Sequence, residues 1–302
     1  FNDNRENNNF QIGFKKKRII IEGKKYDGFF LSELINSKNQ SSYLKNINKE
    51  IKIKIEEVIT KSLKPLKNFN LLGEIERGKF TKISAKGDFG NDKYLDISLK
   101  TISKNQKILE IYSDYPTSLL AEYKFFDGLK DGKLIYTSNI SKDSSKSKLI
   151  IENFKVIKAP AFATLLTLAD LGGVADLLSG KGISFDSLEI IISDDSITTN
   201  IEEVLAVGPS LSVLMDGYIE SETKLISFSG TMVPAKNLNQ LISKIPVVGN
   251  ILVGKKTGEG VFGVSFKIKG LPGKVKTTVN PVKTLTPRFI TRALEKRKEK
   301  AK

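Results

Sequence analysis

Ile51-Lys52-Ile53-Lys54-Ile55-Glu56 alternates apolar and charged side chains without a break. Successive side chains of a strand point to opposite faces, so a period of two gives this segment one dry face and one wet face. On a helix the same residues would be spread around the axis. The pattern recurs along the chain. Leu95, Ile97 and Leu99 form the apolar row of a second strand, and Leu211, Val213 and Met215 that of a third. Phe262, Val264, Phe266 and Ile268 form a fourth, with Gly263, Ser265 and Lys267 between them.

Turn residues separate these runs. Arg77-Gly78, Gly87 to Asp92, Ser103-Lys104-Asn105, Asp127-Gly128, Asp131-Gly132 and Asp194-Asp195 punctuate a meander. Strands are expected at 17–23, 51–56, 71–76, 79–86, 94–102, 107–112, 133–140, 149–158, 185–193, 196–207, 211–215, 226–232, 260–270 and 274–280. Short helices are expected at 27–35, with Asp27 as N-cap, and at 115–123. The fold class read from this is mainly β, a β-rich α+β chain of antiparallel strands with short amphipathic helices inserted. Periodicity alone leaves two architectures open: a sandwich or barrel whose dry faces cover each other, or a sheet whose dry face is a groove.

Two stretches change period. In 159–178, Phe162, Leu165, Leu166 and Ala169 follow at i, i+3, i+4 and i+7, one helical face. Leu168, Leu177 and Leu178 extend the apolar surface, and Gly172-Gly173 makes a hinge. The second insertion, 234–253, carries Leu241, Ile245, Val248, Ile251 and Leu252. Core packing is one reading of each insertion. The other is contact with lipid or a partner, because both hold more apolar residue than one helical face needs. The residues after Pro287 form a basic helical tail with Arg288, Arg292, Lys296 and Lys300 four apart; its readings are a solvated helix or an anionic membrane surface. The chain therefore divides into a strand-rich segment with short helices (1–158), a segment with two apolar insertions (159–286) and the tail (287–302).

Composition removes whole classes of chemistry. The 302 residues include no histidine and no cysteine. Ser-His-Asp and Cys-His nucleophiles, imidazole or thiolate metal ligation and the usual zinc sites all need one or the other. No enzyme, catalytic residue, cofactor or metal site is expected. Gly258-Glu259-Gly260-Val261-Phe262-Gly263 resembles a phosphate loop but leads into a strand, so no helix N-terminus faces a phosphate. Asp194-Asp195 and Glu202-Glu203 read as a hairpin turn and a solvated strand face. The formal charge of +15, from 49 basic and 34 acidic residues, comes mostly from lysines scattered on strand faces. Outside Lys15-Lys16-Lys17-Arg18 and the tail, there is no basic stripe interleaved with aromatics, and no nucleic-acid partner is expected. The chain starts at Phe1 and reads as a piece of a longer protein, with any membrane anchor upstream.

Several runs resemble a known family. Ser118-Leu119-Leu120, Phe126-Asp127-Gly128-Leu129-Lys130-Asp131-Gly132-Lys133-Leu134 and Leu149-Ile150-Ile151-Glu152-Asn153-Phe154-Lys155-Val156 come first. Gly208-Pro209-Ser210-Leu211, Gly230-Thr231-Met232-Val233-Pro234-Ala235, Ile245-Pro246-Val247-Val248-Gly249, Gly258 to Phe266 and Val279-Asn280-Pro281 follow in order. From about Leu119 to Phe289 the chain resembles the C-terminal region of the YhdP branch of the AsmA-like proteins, though it is richer in Lys and Asn.

The resemblance implies an elongated, twisted sheet forming a hydrophobic groove. It implies a periplasmic, cell-envelope protein, anchored in the inner membrane by an N-terminal segment, that moves phospholipid between inner and outer membranes. It implies phospholipid and membrane as partners, with the outer-membrane-facing end in this region, and no catalytic residues; protein partners stay open. On that basis the expected groove residues are Ile51, Ile53, Ile55, Leu95, Ile97, Leu99, Leu211, Val213, Met215, Phe262, Val264, Phe266 and Ile268. The expected lid or membrane-facing residues are Phe162, Leu165, Leu166, Leu168, Leu177, Leu178, Leu241, Ile245, Val248, Ile251 and Leu252, with Gly172 and Gly173 as hinge. The alternative is a structural or assembly scaffold of the envelope that carries no lipid.

Overall fold

The computed structural model describes residues 8–28, 46–60, 64–120, 128–157, 163–164, 166–167, 181–195, 197–234, 263–271 and 274–282. They form one open, twisted, mixed sheet of 15 strands whose spatial order follows the chain order. Neighbours in sequence are neighbours in the sheet, and the terminal strands do not pair with each other. The strand order is that of an open sheet and not of a closed barrel.

The strands are β1 (Asn9–Phe14), β2 (Arg18–Asp27), β3 (Lys49–Ile59), β4 (Leu66–Glu76), β5 (Lys79–Asp88), β6 (Tyr94–Ser103), β7 (Gln106–Ser113) and β8 (Leu129–Ile140). After them come β9 (Ser145–Val156), β10 (Ile183–Asp194), β11 (Thr198–Val207), β12 (Leu211–Glu220), β13 (Ile226–Pro234), β14 (Gly263–Leu271) and β15 (Lys274–Val282). A single turn of helix, α1 (Thr117–Leu120), precedes β8. The chain clusters into two compact units, 1–151 and 152–302, divided within β9.

Most strands fall where alternation puts them, with four differences. Pairing is not antiparallel throughout: β2 and β3 run parallel, in register from Arg18↔Glu50 to Asp27↔Ile59. A parallel pair needs a crossover rather than a tight turn, and residues 28–48 supply the length. Asp27 is the last residue of β2, and its N–H donates to Asn8 Oδ1 at 2.8 Å. Strand β1 was not expected, although Phe10, Ile12 and Phe14 alternate in it. Asp131-Gly132 does not end a strand: β8 runs straight through, with φ of 60° and 93° there.

The expected turns behave as turn chemistry requires. Arg77 and Gly78 both have positive φ, 51° and 75°, the geometry of a two-residue hairpin between β4 and β5. Asp195 holds the β10–β11 turn by accepting from the N–H groups of Ile197 (3.1 Å) and Thr198 (2.8 Å).

Much of the sequence-expected helical surface lies outside the described residues. That covers Phe162, Leu165, Leu168, Leu177, Leu178, Leu241, Ile245, Val248, Ile251 and Leu252, the hinge Gly172-Gly173, the tail 287–302 and most of 27–35. Among those described, Ala163, Thr164, Leu166 and Thr167 are helical, and Thr167 Oγ1 donates to Ala163 O at 3.0 Å. Leu166 is fully buried, so its side chain packs within the protein. Among the described residues no helix is long and apolar enough to cross a membrane.

A candidate lipid-binding face

In the first unit the register converts local alternation into a two-dimensional surface. Cross-strand partners share a face, so rungs can be followed across the sheet. One rung runs Phe14–Ile19–Ile51–Gly73–Ile83–Leu99–Leu109–Ser138. The next runs Ile12–Ile21–Ile53–Leu71–Ala85–Ile97–Ile111–Tyr136. A third holds Phe10–Gly23–Ile55–Phe69 on one side of a register shift in β4 and Gly87–Leu95–Ser113–Leu134 on the other. All eight strands therefore contribute apolar or small residues to one face. At ~4.8 Å per strand and ~3.4 Å per residue, the strip measures roughly 34 Å across the strands and roughly 14 Å along them.

All six expected groove residues of this unit lie on that strip. Ile51, Ile55, Leu95 and Leu99 are buried, while Ile53 and Ile97 in the middle rung are half-buried. One long side of the strip is sealed. Ile55, Val58, Leu66, Phe89 and Leu95 form a buried cluster there, with Tyr115 and Leu119 packed against it. The rings of Phe89 and Tyr115 are 5.4 Å apart, and the Lys64 ammonium lies 5.2 Å from the Tyr115 ring centre.

The reverse face is charged. There the rung Gln11–Glu22–Lys54–Asn70–Lys86–Asp96–Tyr112–Ile135 crosses the same eight strands. Lys86 pairs with Asp96 at 3.1 Å, Lys52 with Glu22 at 3.4 Å and Lys82 with Glu74 at 3.5 Å. A shallow depression bordered by Asp96, Ser98, Glu110 and Thr137 belongs to this polar side.

Among the described residues, Asp114 is the carboxylate held away from its ordinary value. Burial alone would push it up. Hydrogen bonds from Tyr112 Oη (2.6 Å) and the Tyr94 N–H (3.1 Å), with the Lys133 ammonium at 3.7 Å, outweigh burial and hold it below the usual carboxylate range. Its place at the β7–α1 corner makes it a structural anchor for that end of the sheet.

The second unit has its own apolar face. Its rungs are Leu188–Ala206–Val213–Met232–Val264, Ile190–Val204–Met215–Gly230–Phe266–Val279 and Ile192–Ile201–Gly217–Phe228–Ile268–Thr277. Val213, Met215, Val264, Phe266 and Ile268 thus share one face, and Leu211 joins it opposite Pro234. Phe262 lies outside the described residues. Aromatic rings sit opposite glycines, Phe266 across from Gly230 and Phe228 across from Gly217. The missing side chain leaves room for the ring to lie over the backbone, which smooths the surface.

Alternation undercounts burial here. Leu211 to Met215 are buried at every position, so β12 is covered on both faces. Leu205, Leu214 and Val233 fill the second face, and the signal for Leu214 was the nearly unbroken apolar run Leu211-Ser212-Val213-Leu214-Met215. Glu203, expected on a solvated face, is buried, as is Glu189 diagonal to it. Both take part in interactions with their surroundings. Among the described residues no group of three or more potential metal ligands gathers.

No protein-family model, curated protein or solved structure matches the chain.

Proposed function

We propose that this chain is the distal part of an envelope protein that conducts phospholipid along an apolar sheet face between inner and outer membranes, without enzymatic chemistry. The observation that carries the proposal is the eight-strand strip of the first unit, backed by a charged reverse face. An acyl chain needs a continuous dry track rather than a pocket. Laying eight methylenes on such a strip is worth about 6 kcal/mol at ~0.8 kcal/mol each, while the headgroup stays in water. The half-buried Ile53, Ile97 and Ile111 leave apolar surface for that contact. The runs that resemble the AsmA-like proteins support the periplasmic setting, an anchor upstream in the inner membrane and an end turned toward the outer membrane.

The second reading is an envelope scaffold that carries no lipid. The two-sided burial of Leu211 to Met215 favours it for the second unit, because protein already fills the space beside both faces. A photoreactive amino acid separates the readings. Placed at Ile53 or Ile97 and activated in a Gram-negative host, it is expected to give phospholipid adducts by mass spectrometry. Placed at Ser84 or Ser98 on the reverse face, it is expected to give none. A folded protein with no adduct from either face would leave the scaffold.

A further inference from the structure

The apolar strip of the first unit has two long sides, and they differ. One is sealed by the cluster around Ile55, Phe89 and Leu95. Next to it lie Asp88, Asp92 and Asp114. The other side is where the β1–β2, β4–β5 and β6–β7 hairpins turn, and there the strip meets two lysines. Following the rows outward, Ile51 is succeeded two residues away by Lys49, and Leu109 by Lys107. Lys49 pairs with Ile75, and Lys107 with Thr101 and Ile140. Both lysines therefore stand on the apolar face at its open edge.

Their ammonium groups are held but not neutralised. Lys49 Nζ donates to Lys15 O at 2.8 Å, and Lys107 Nζ donates to Phe80 O at 2.5 Å, reaching over β6. Among the described residues no carboxylate lies within 4.0 Å of either. An ammonium has three donors, so each keeps two for a ligand. The reverse-face lysines Lys52, Lys82 and Lys86 instead have cross-strand carboxylates. The hairpin tips on the same side add Lys15, Lys16, Lys17, Arg77, Lys79 and Lys104, all exposed.

The geometry points to this edge as the seat of phosphate-bearing lipid headgroups, with Lys49 on β3 and Lys107 on β7 each contacting a separate headgroup and the acyl chains lying inward on the strip. The inference rests on the lipid reading above and adds an orientation to it: headgroups leave the strip on the hairpin side and never on the sealed side. At each lysine an ammonium with two remaining donors makes charge-assisted hydrogen bonds to a phosphate, which a neutral headgroup cannot match. The basic tips raise the local concentration of anionic lipid in a salt-dependent way.

The test uses the full chain freed of lipid and two ligands with the same acyl chain, palmitoyl lysophosphatidylglycerol and monopalmitoylglycerol. Both are titrated below their micelle concentrations. The phosphate ligand is expected to bind about tenfold tighter. In Lys49→Gln/Lys107→Gln that preference is expected to collapse toward one, with monopalmitoylglycerol binding unchanged. Lys49→Arg/Lys107→Arg and the reverse-face Lys52→Gln/Lys86→Gln are expected to keep it. An undiminished preference in the Gln pair overturns the edge assignment and leaves the lipid reading standing. Failure of both ligands to bind the wild-type chain overturns the lipid reading and the edge together. Displacement of the lysolipid by micromolar inorganic phosphate makes the edge a free-phosphate site. Salt-sensitive binding of an oligonucleotide at this edge, with no lysolipid binding, makes it a nucleic-acid contact; either result overturns the headgroup assignment.

Discussion

Replacing Gly230 with alanine probes how the apolar face of the second unit is built. A methyl group there would lie 2.5 Å from Met215 Cβ, 2.5 Å from Phe266 Cζ and 2.7 Å from Leu214 O. Two of these atoms belong to or sit next to the backbone of β12 and cannot swing away; only the Phe266 ring tip can. Phe266 and Met215 are both buried, so there is no open space to receive the displaced ring. Overpacking of this kind costs about 1–3 kcal/mol, and the buried methyl returns ~0.8 kcal/mol at most. Gly230→Ala is therefore expected to destabilise by about 2 kcal/mol, read as a lowered urea midpoint at constant m-value. Phe266→Leu removes the ring tip, so in the double variant the two losses should fall short of additivity by about 1 kcal/mol. A Gly230→Ala protein within 0.5 kcal/mol of wild type would refute the ring-over-glycine packing. Full additivity would show that Phe266 is not the obstacle.

Other perturbations follow from the same framework. Asp114→Asn should cost about 1–2 kcal/mol at neutral pH, measured by denaturant unfolding. Because the Asp114 pKa is depressed on folding, its contribution is present above the unfolded value of about 3.9 and is lost as pH falls through the folded value. The variant should therefore show a weaker loss of stability below about pH 4 than wild type. Arg77→Asn should stabilise by about 0.5–1 kcal/mol, since residue 77 has φ of 51° and asparagine tolerates that region better; an unchanged melting temperature would contradict it. Lys86→Ala should change stability by less than about 0.5 kcal/mol, because the Lys86–Asp96 pair is 73% and 45% exposed. Ile151→Ala should cost about 3 kcal/mol, since Ile151 is completely buried in β9.

How much of this was legible beforehand depends on the range of the forces involved. Alternation is local: Ile51, Ile53 and Ile55 share a face because of strand geometry alone, whatever pairs with them. The same holds for Leu95, Ile97 and Leu99, and for the turns at Arg77-Gly78 and Asp194-Asp195. The strand-rich class, the position of most strands and the membership of each apolar row could thus be read from residue order. The absence of histidine and cysteine likewise narrowed the chemistry without any coordinates.

Register and coverage are non-local, and only the tertiary structure decided them. Nothing between residues 28 and 48 announces that β3 will lie parallel to β2, yet that pairing brings Ile19 beside Ile51. Alternation made Leu205, Leu214 and Glu203 solvent-facing; burial of the second face of β11 and β12 comes from other parts of the fold. Lys49 and Lys107 are 58 residues apart and look like ordinary solvated lysines in sequence. Pairing across the five strands β3 to β7 puts both on one edge of one apolar strip. A side chain's face follows from its own backbone, but its neighbours follow from which strands the whole chain brings together.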